Sequence, residues 1–144
     1  MLSKNKFLLF FLAFLVVSIA LGYYFYNKAP QSIQGSEAIT IGSAQLYDLY
    51  RTDSAGAQQR FSGKVLSVTG GVVKIDKNQQ GETVVSLATG LPGAYVNCSM
   101  DALAITLHEG QKATVKGFCS GIGQGDEDLG IKPDVYLIRS ILVE

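Results

Sequence analysis

A chain of 144 residues with 12 acidic and 12 basic side chains and only 2 cysteines has room for one ordinary domain, and it is no disulfide-stapled miniprotein. The charges are unevenly placed: Lys4, Lys6 and Lys28 belong to the first segment and its flanks, which leaves 9 Lys and Arg against 12 Asp and Glu from Ala29 onward. A nucleic-acid reader ordinarily carries a basic stripe; no such stripe is visible here, and Asp126-Glu127-Asp128 is an acidic run.

The first element is FLLFFLAFLVVSIALGYYFY, Phe7 to Tyr26, twenty residues without a charge. As a helix rising 1.5 Å per residue it would cross a hydrocarbon layer of about 30 Å. Tyr23, Tyr24 and Tyr26 suit an interfacial belt, and Lys4 and Lys6 precede the run. The positive-inside rule therefore keeps the amino terminus in the cytoplasm and exports the carboxy-terminal domain, to the periplasm or the cell exterior. The competing reading is a cleaved signal peptide, since Ser18-Ile19-Ala20 and Ala20-Leu21-Gly22 offer small residues at suitable spacing. Against it, the apolar run exceeds a usual signal core, and aromatics crowd the would-be cleavage site. The expected organisation is a transmembrane anchor at 7–26, a polar linker at 27–39 and one domain at 40–144.

Within the domain, Leu46, Leu49, Tyr50 and Ala57 fall at helical spacing. Ser43 can cap a first turn and Asp53 a second, which predicts two short helices, or one bent helix, ending near Phe61. The period then changes to that of strands. KVLSVTGGVVKID is a long first strand with Gly70-Gly71 at a bend; TVVSLAT and AYVNCSM are the second and third. Leu103 and Leu107, with Asp101 before and Gly110 after, predict a helix over 101–108. QKATVKGFCS is a fourth strand with a bend at Gly117, residues 120–133 a flexible glycine-rich acidic loop, and DVYLIRSILV the last strand.

Five strands, a helix between the third and fourth, and a glycine-kinked first strand predict a mainly β domain: a five-stranded OB-fold barrel with an amino-terminal helix packed outside it and a single transmembrane helix before it. An SH3-like barrel, the main rival, has no helix at that place. Over roughly residues 40–143 the chain resembles the tRNA-anti-like family of OB-fold proteins. Ser43-Ala44 and Leu46 open the helix in the family's manner, and Ala57 and Phe61 fall where the family has an alanine and then an aromatic. Gly63 to Val72 looks like its first strand, Val96-Asn97-Cys98 like the valine–x–cysteine of its third, and Gly110 to Gly121 like its Gly-Gln…Val-x-Gly-x-Cys pattern. The resemblance implies an OB barrel in a small bacterial protein, often with an amino-terminal membrane segment or lipoprotein signal. It implies no particular ligand or activity.

Several stretches invite chemistry. Gly110 to Gly125 superficially looks like a phosphate cradle, but Lys116 precedes Gly117 inside a strand, no Gly-Lys-Ser/Thr occurs, and acids follow the glycines. Cys98 and Cys119 lie at strand ends without a CxxC; in an exported domain a disulfide between them is the expected state, two buried free thiols the alternative. His108 beside Glu109 lacks a nucleophile, and the consecutive acids at 126–128 lack the alternating spacing of a calcium loop. No metal, cofactor or catalytic set is therefore expected. Tyr95, Phe118 and Tyr136 are strand aromatics that could face a ligand. The expected function is a membrane-anchored, exported, non-catalytic binding module for a protein, lipid or glycan partner. A nucleic-acid-binding OB protein is the alternative, disfavoured by the domain's charge.

Overall fold

The structure, a computed structural model, describes residues 4–27, 32–101 and 106–143. The chain divides into two compact units, residues 1–32 and 33–144. The first contains α1 (Lys4–Tyr26), an uninterrupted helix of 23 residues, apolar on every side, whose described side chains are all exposed. Asn5–Tyr26 is long and apolar enough to cross a membrane.

The second unit opens earlier than the sequence suggests. Ile33 is buried to 6% exposure, and Lys116 Nζ donates to the carbonyls of Ser36 (2.6 Å) and Gln34 (3.4 Å). A short strand follows, β1 (Ile39–Gly42), parallel to the next strand in the chain. Two helices come after it, α2 (Ser43–Thr52) and α3 (Ser54–Phe61). The break falls at Asp53, whose side chain caps α3 by accepting from the Gly56 amide at 3.0 Å. Ser43 caps nothing: its hydroxyl donates to the Ala88 carbonyl, tying α2 to the barrel.

The barrel strands are β2 (Val65–Lys77), β3 (Thr83–Ala88), β4 (Tyr95–Met100), β5 (Lys112–Ile122) and β6 (Val135–Val143). They are hydrogen-bonded in the order β2-β3-β4-β6-β5, and β5 returns to β2, closing the barrel. Closure works because β2 is long: residues 65–71 pair with β5, and residues 72–77 pair with β3. Only β4 and β6 run parallel within the barrel. This is the five-stranded OB topology. Period-two alternation sends Leu66, Val68, Val85, Leu87, Val96, Cys98, Val115, Val135 and Leu137 inward, where they share one apolar core with Leu46, Tyr50, Ala57 and Phe61 of the helices.

The glycines expected at bends serve two purposes. Gly117 lies at a register irregularity, opposite the pair Arg139-Ser140 of β6, and a Cβ there would collide with the Ser140 side chain. Gly70 pairs regularly with Ala113; the irregularity on β2 falls later, between Val72 and Lys74. Gly70 is needed instead because Ser43 packs against its α-carbon. The helix expected over 101–108 falls largely on 102–105, outside the described residues; 106–108 have no regular structure.

Candidate ligand-facing surface

The inward positions of the barrel determine which residues are left outside. On β3 and β4 the outward set is Val84, Ser86, Ala88, Tyr95, Asn97 and Ser99; on β6 it begins with Tyr136 and Ile138. A carboxylate organises this surface. Asp134, at the entry to β6, accepts from the Tyr95 amide with one oxygen and from Asn97 Nδ2 with the other, both at 2.8 Å. Asn97 Oδ1 in turn accepts from Ser86 Oγ at 2.7 Å. Tyr136 pairs with Asn97 across the parallel β4–β6 ladder and is 43% exposed; Tyr95, at the start of β4, is half-buried and pairs with Ala88 of β3. At the edge of this surface, Lys74 and Asp76 of β2 form an exposed ion pair at 2.6 Å. Each raises or lowers its partner's affinity for protons in the expected sense: Asp76 holds the Lys74 pKa up, and Lys74 holds the Asp76 carboxyl down.

Phe118 lies elsewhere. It pairs with Ile138 on the β5–β6 side, and the Arg139 guanidinium lies over its ring, 5.7 Å from the centroid. Arg139 has φ 51°, the only positive φ at a described non-glycine residue. The cause is a bulge: Phe118 pairs with Ile138 and Lys116 with Ile141, so Arg139 and Ser140 together face Gly117. The bulge shifts the alternation of β6 by one residue. Val135 and Leu137 point inward before it, Ser140 points inward after it, and the Ser140 hydroxyl is buried without a hydrogen-bond partner. The structure therefore places Tyr95 and Tyr136 on the neighbouring strands β4 and β6, with the Tyr136 ring over Gly123, and puts Phe118 in different surroundings.

The disulfide expectation does not hold. Cys98 and Cys119 are both free and buried. Each is registered on Leu137, from opposite sides of β6. Two strand spacings of about 4.8 Å lie between them, beyond the roughly 7 Å that a disulfide can bridge. Burial pushes the Cys98 thiol up to about 12. Burial also raises the Cys119 pKa, partly offset by the Tyr50 hydroxyl at 3.3 Å and the Gly121 amide. Both cysteines are core residues beneath the ladder.

The remaining candidates have structural occupations. The Asp126 carboxylate accepts from the Leu129 amide at 3.1 Å, and Asp126 and Ile131 form a two-way backbone bridge, so 126–131 is a tight turn and no loose loop. Gly125 packs against Ile131 and Pro133, and Gly123 lies under the Tyr136 ring, with no room for a side chain at either. His108 is exposed; its backbone amide donates to Gln111 Oε1 at 3.3 Å, and Glu109 Oε1 accepts weakly from the Ile75 amide at 3.4 Å. Among the described residues no three His, Cys, Asp or Glu side chains converge as metal ligands would. Sequence reading missed a mostly apolar cleft of about 640 Å³ between α2, Leu91 and residues 122–133, with Tyr47 and Ile131 in its walls and Arg51 and Lys132 at its rim. It is assembled from three distant segments, and no single one of them signals it.

A family model described as tRNA_anti-like matches residues 1–128. The chain belongs to the tRNA_anti-like family. Among solved structures, this tRNA_anti-like chain is similar to a protein of Klebsiella pneumoniae subsp. pneumoniae MGH 78578 whose provisional name is nucleic acid-binding lipoprotein. The two share 20% identity with a TM-score of 0.55 over 80% of this chain and 99% of that one, a likeness of fold. No curated protein matches the tRNA_anti-like chain described here.

Proposed function

We propose that the protein is a membrane-anchored, non-catalytic binding module, with its amino terminus in the cytoplasm, its OB domain exported, and a ligand surface formed by Tyr95, Asn97, Asp134 and Tyr136. The observation that carries this reading is the Asp134 carboxylate, fixed by two charge-assisted bonds from Tyr95 and Asn97 of β4. OB folds usually engage their ligands on this strand surface and its flanking loops. A nucleic acid would present phosphates there to a buttressed negative charge. A ligand with hydroxyl or amide donors would meet an acceptor on a surface that also carries aromatic side chains from two neighbouring strands, the combination that suits a glycan or a peptide. The polar groups are engaged with one another, which suits fixed recognition better than proton transfer. The related Klebsiella protein's name points toward nucleic acid. The carboxylate at the same surface supports the other choice.

A photo-crosslinking residue at position 136 of the full-length chain, irradiated in membranes of the producing cell, tests the reading. The expected result is a discrete peptide- or glycan-bearing adduct, lost on Tyr95→Ala and absent when the crosslinker stands at Gln80. Adducts that are predominantly nucleic acid, or a salt-dependent gel shift with single-stranded oligonucleotide, would overturn it. Degradation of the domain by protease added to the cell exterior supports export, protection of the domain after the outer layers are opened refutes it, and release of full-length chain by carbonate refutes the anchor.

A further inference from the structure

The outward positions of β5 and β6 beyond Tyr136 form a second surface of opposite character. On β5 they are Lys112, Thr114, Lys116, Phe118 and Ser120. On β6 they are Ile138, Arg139, Ile141 and Val143, whose outward aim follows from the bulge. Three of the 9 basic residues after Ala29 lie among these nine positions, and none of the 12 acidic ones. Ile138 is 45% exposed, and Val143 is exposed at the far end of the same strand, opposite Thr114. The bulge that creates this surface is costly. It holds Arg139 at positive φ and leaves the Ser140 hydroxyl orphaned, each an unfavourable feature. Backbone strain of this kind concentrates where a side chain must be aimed at something; here it lays a cation over an aromatic ring at the surface.

We propose that this β5–β6 surface docks on an anionic lipid surface, the apolar side chains Phe118, Ile138 and Val143 entering the headgroup zone and Lys112 and Arg139 meeting lipid phosphates, while Lys116 stays engaged on the Gln34 and Ser36 carbonyls. The inference rests on the membrane association proposed above. Two further observations select a lipid surface as the occupant. Apolar side chains ringed by cations are the composition of interfacial binding elements, whose strength adds buried apolar area to attraction for anionic headgroups. Only residues 27–32 separate α1 from Ile33, which limits the domain's reach from a bilayer to about 25 Å. The chain also enters the domain on this side, since Lys116 itself holds the Gln34 and Ser36 carbonyls. A lipid surface is thus within reach of these residues whenever α1 is inserted, and it offers the complementary charge.

The chain contains no tryptophan, so one can be introduced as a sole probe. Full-length Ile138→Trp and, as a control on the acidic turn, Leu129→Trp would be reconstituted into phosphatidylcholine vesicles with and without phosphatidylglycerol. Quenching by lipids brominated near the headgroup would then be measured. The expected result is quenching and a blue shift at 138 in anionic vesicles only, with the 129 probe unaffected. Adding Lys112→Gln and Arg139→Gln should reduce the docked-to-undocked ratio at 138 about thirtyfold, two charges at ~1 kcal/mol each, while an unchanged circular dichroism spectrum shows the fold retained. Equal quenching in neutral vesicles, no quenching in either, or protection of the 138 probe by oligonucleotide without lipid would each overturn the proposal. Carbonate treatment separates the two readings: a carbonate-resistant chain without quenching sinks the docking alone. A chain that carbonate releases but that still quenches sinks the anchor alone.

Discussion

The two outer surfaces of this barrel share strand β6 and differ in nearly everything else. The β3–β4 side, with Tyr136, is polar and aromatic around the Asp134 carboxylate, with Ser86, Asn97, the Tyr95 amide and Asp134 joined by hydrogen bonds. The β5–β6 side is apolar and cationic, and its polar cost lies in the strand beneath it, at Arg139 and Ser140. One extra residue in β6 separates them. Before the bulge, odd-numbered residues of β6 face the core; after it, Ser140 does. A formal net charge of zero therefore describes neither surface, and the charge that matters for a partner depends on a backbone irregularity.

The contrast can be broken at its root or adjusted on one side. Leu137, fully buried and registered on both cysteines, supports both surfaces. Leu137→Ala should cost about 2–5 kcal/mol in urea-melt stability and impair crosslinking at 136 and quenching at 138 alike. Gly117→Ala sets a methyl against Ser140 and should cost about 1–3 kcal/mol. Its effect should fall on quenching at 138 and leave the 136 adduct largely intact; equal loss at both would mean that the bulge does not separate the surfaces.

The thiol beneath them is sensitive to alkali. The folded Cys98 pKa, about 12, lies above its ordinary 9.0, so the folded state favours the neutral thiol. That contribution is fully present below pH 9 and is lost as pH rises toward 12. Stability should fall by about 1.4 kcal/mol per pH unit in that window, with the slope flattened in Cys98→Ala. Thiol labelling should find two reactive groups after denaturation without reductant and almost none before; no reactive thiol after denaturation would restore the disulfide. Asp134→Asn should cost about 1–2 kcal/mol and weaken the 136 adduct without touching quenching at 138. The smallest expected effect is that of Ser140→Ala, which removes an orphaned hydroxyl and should be neutral or stabilising by up to about 1 kcal/mol. It should also recover part of the Gly117→Ala loss, since the two groups touch.

Much of the frame was legible because it rests on local chemistry. The period-two runs gave all five barrel strands, Asp53 marked the helix break, and the order of elements implied the OB connection. The features that escaped depend on partners distant in the chain. Ile39-Thr40-Ile41 has the β-branched composition of a strand, but four residues leading directly into a helix are too few for a periodic signal. Nothing in VYLIRSILV indicates that Arg139 takes a second place opposite Gly117; that arises from β5 bringing a glycine to it. The cysteines were placed correctly at strand positions and paired wrongly, because strand order, which puts β6 between them, is a tertiary fact. Of the three aromatics, alternation showed that they could face outward but not that they would divide between two surfaces.

Residues 33–42 have a mechanical consequence. They are joined to the closed barrel by one parallel ladder along β1, by the two carbonyls held by Lys116, and by the burial of Ile33. Tension arriving along the chain from its amino-terminal side loads these peripheral attachments first and in series. These attachments meet such a pull before it reaches α2, and the first barrel strand to share the load is β2, through its ladder with β1.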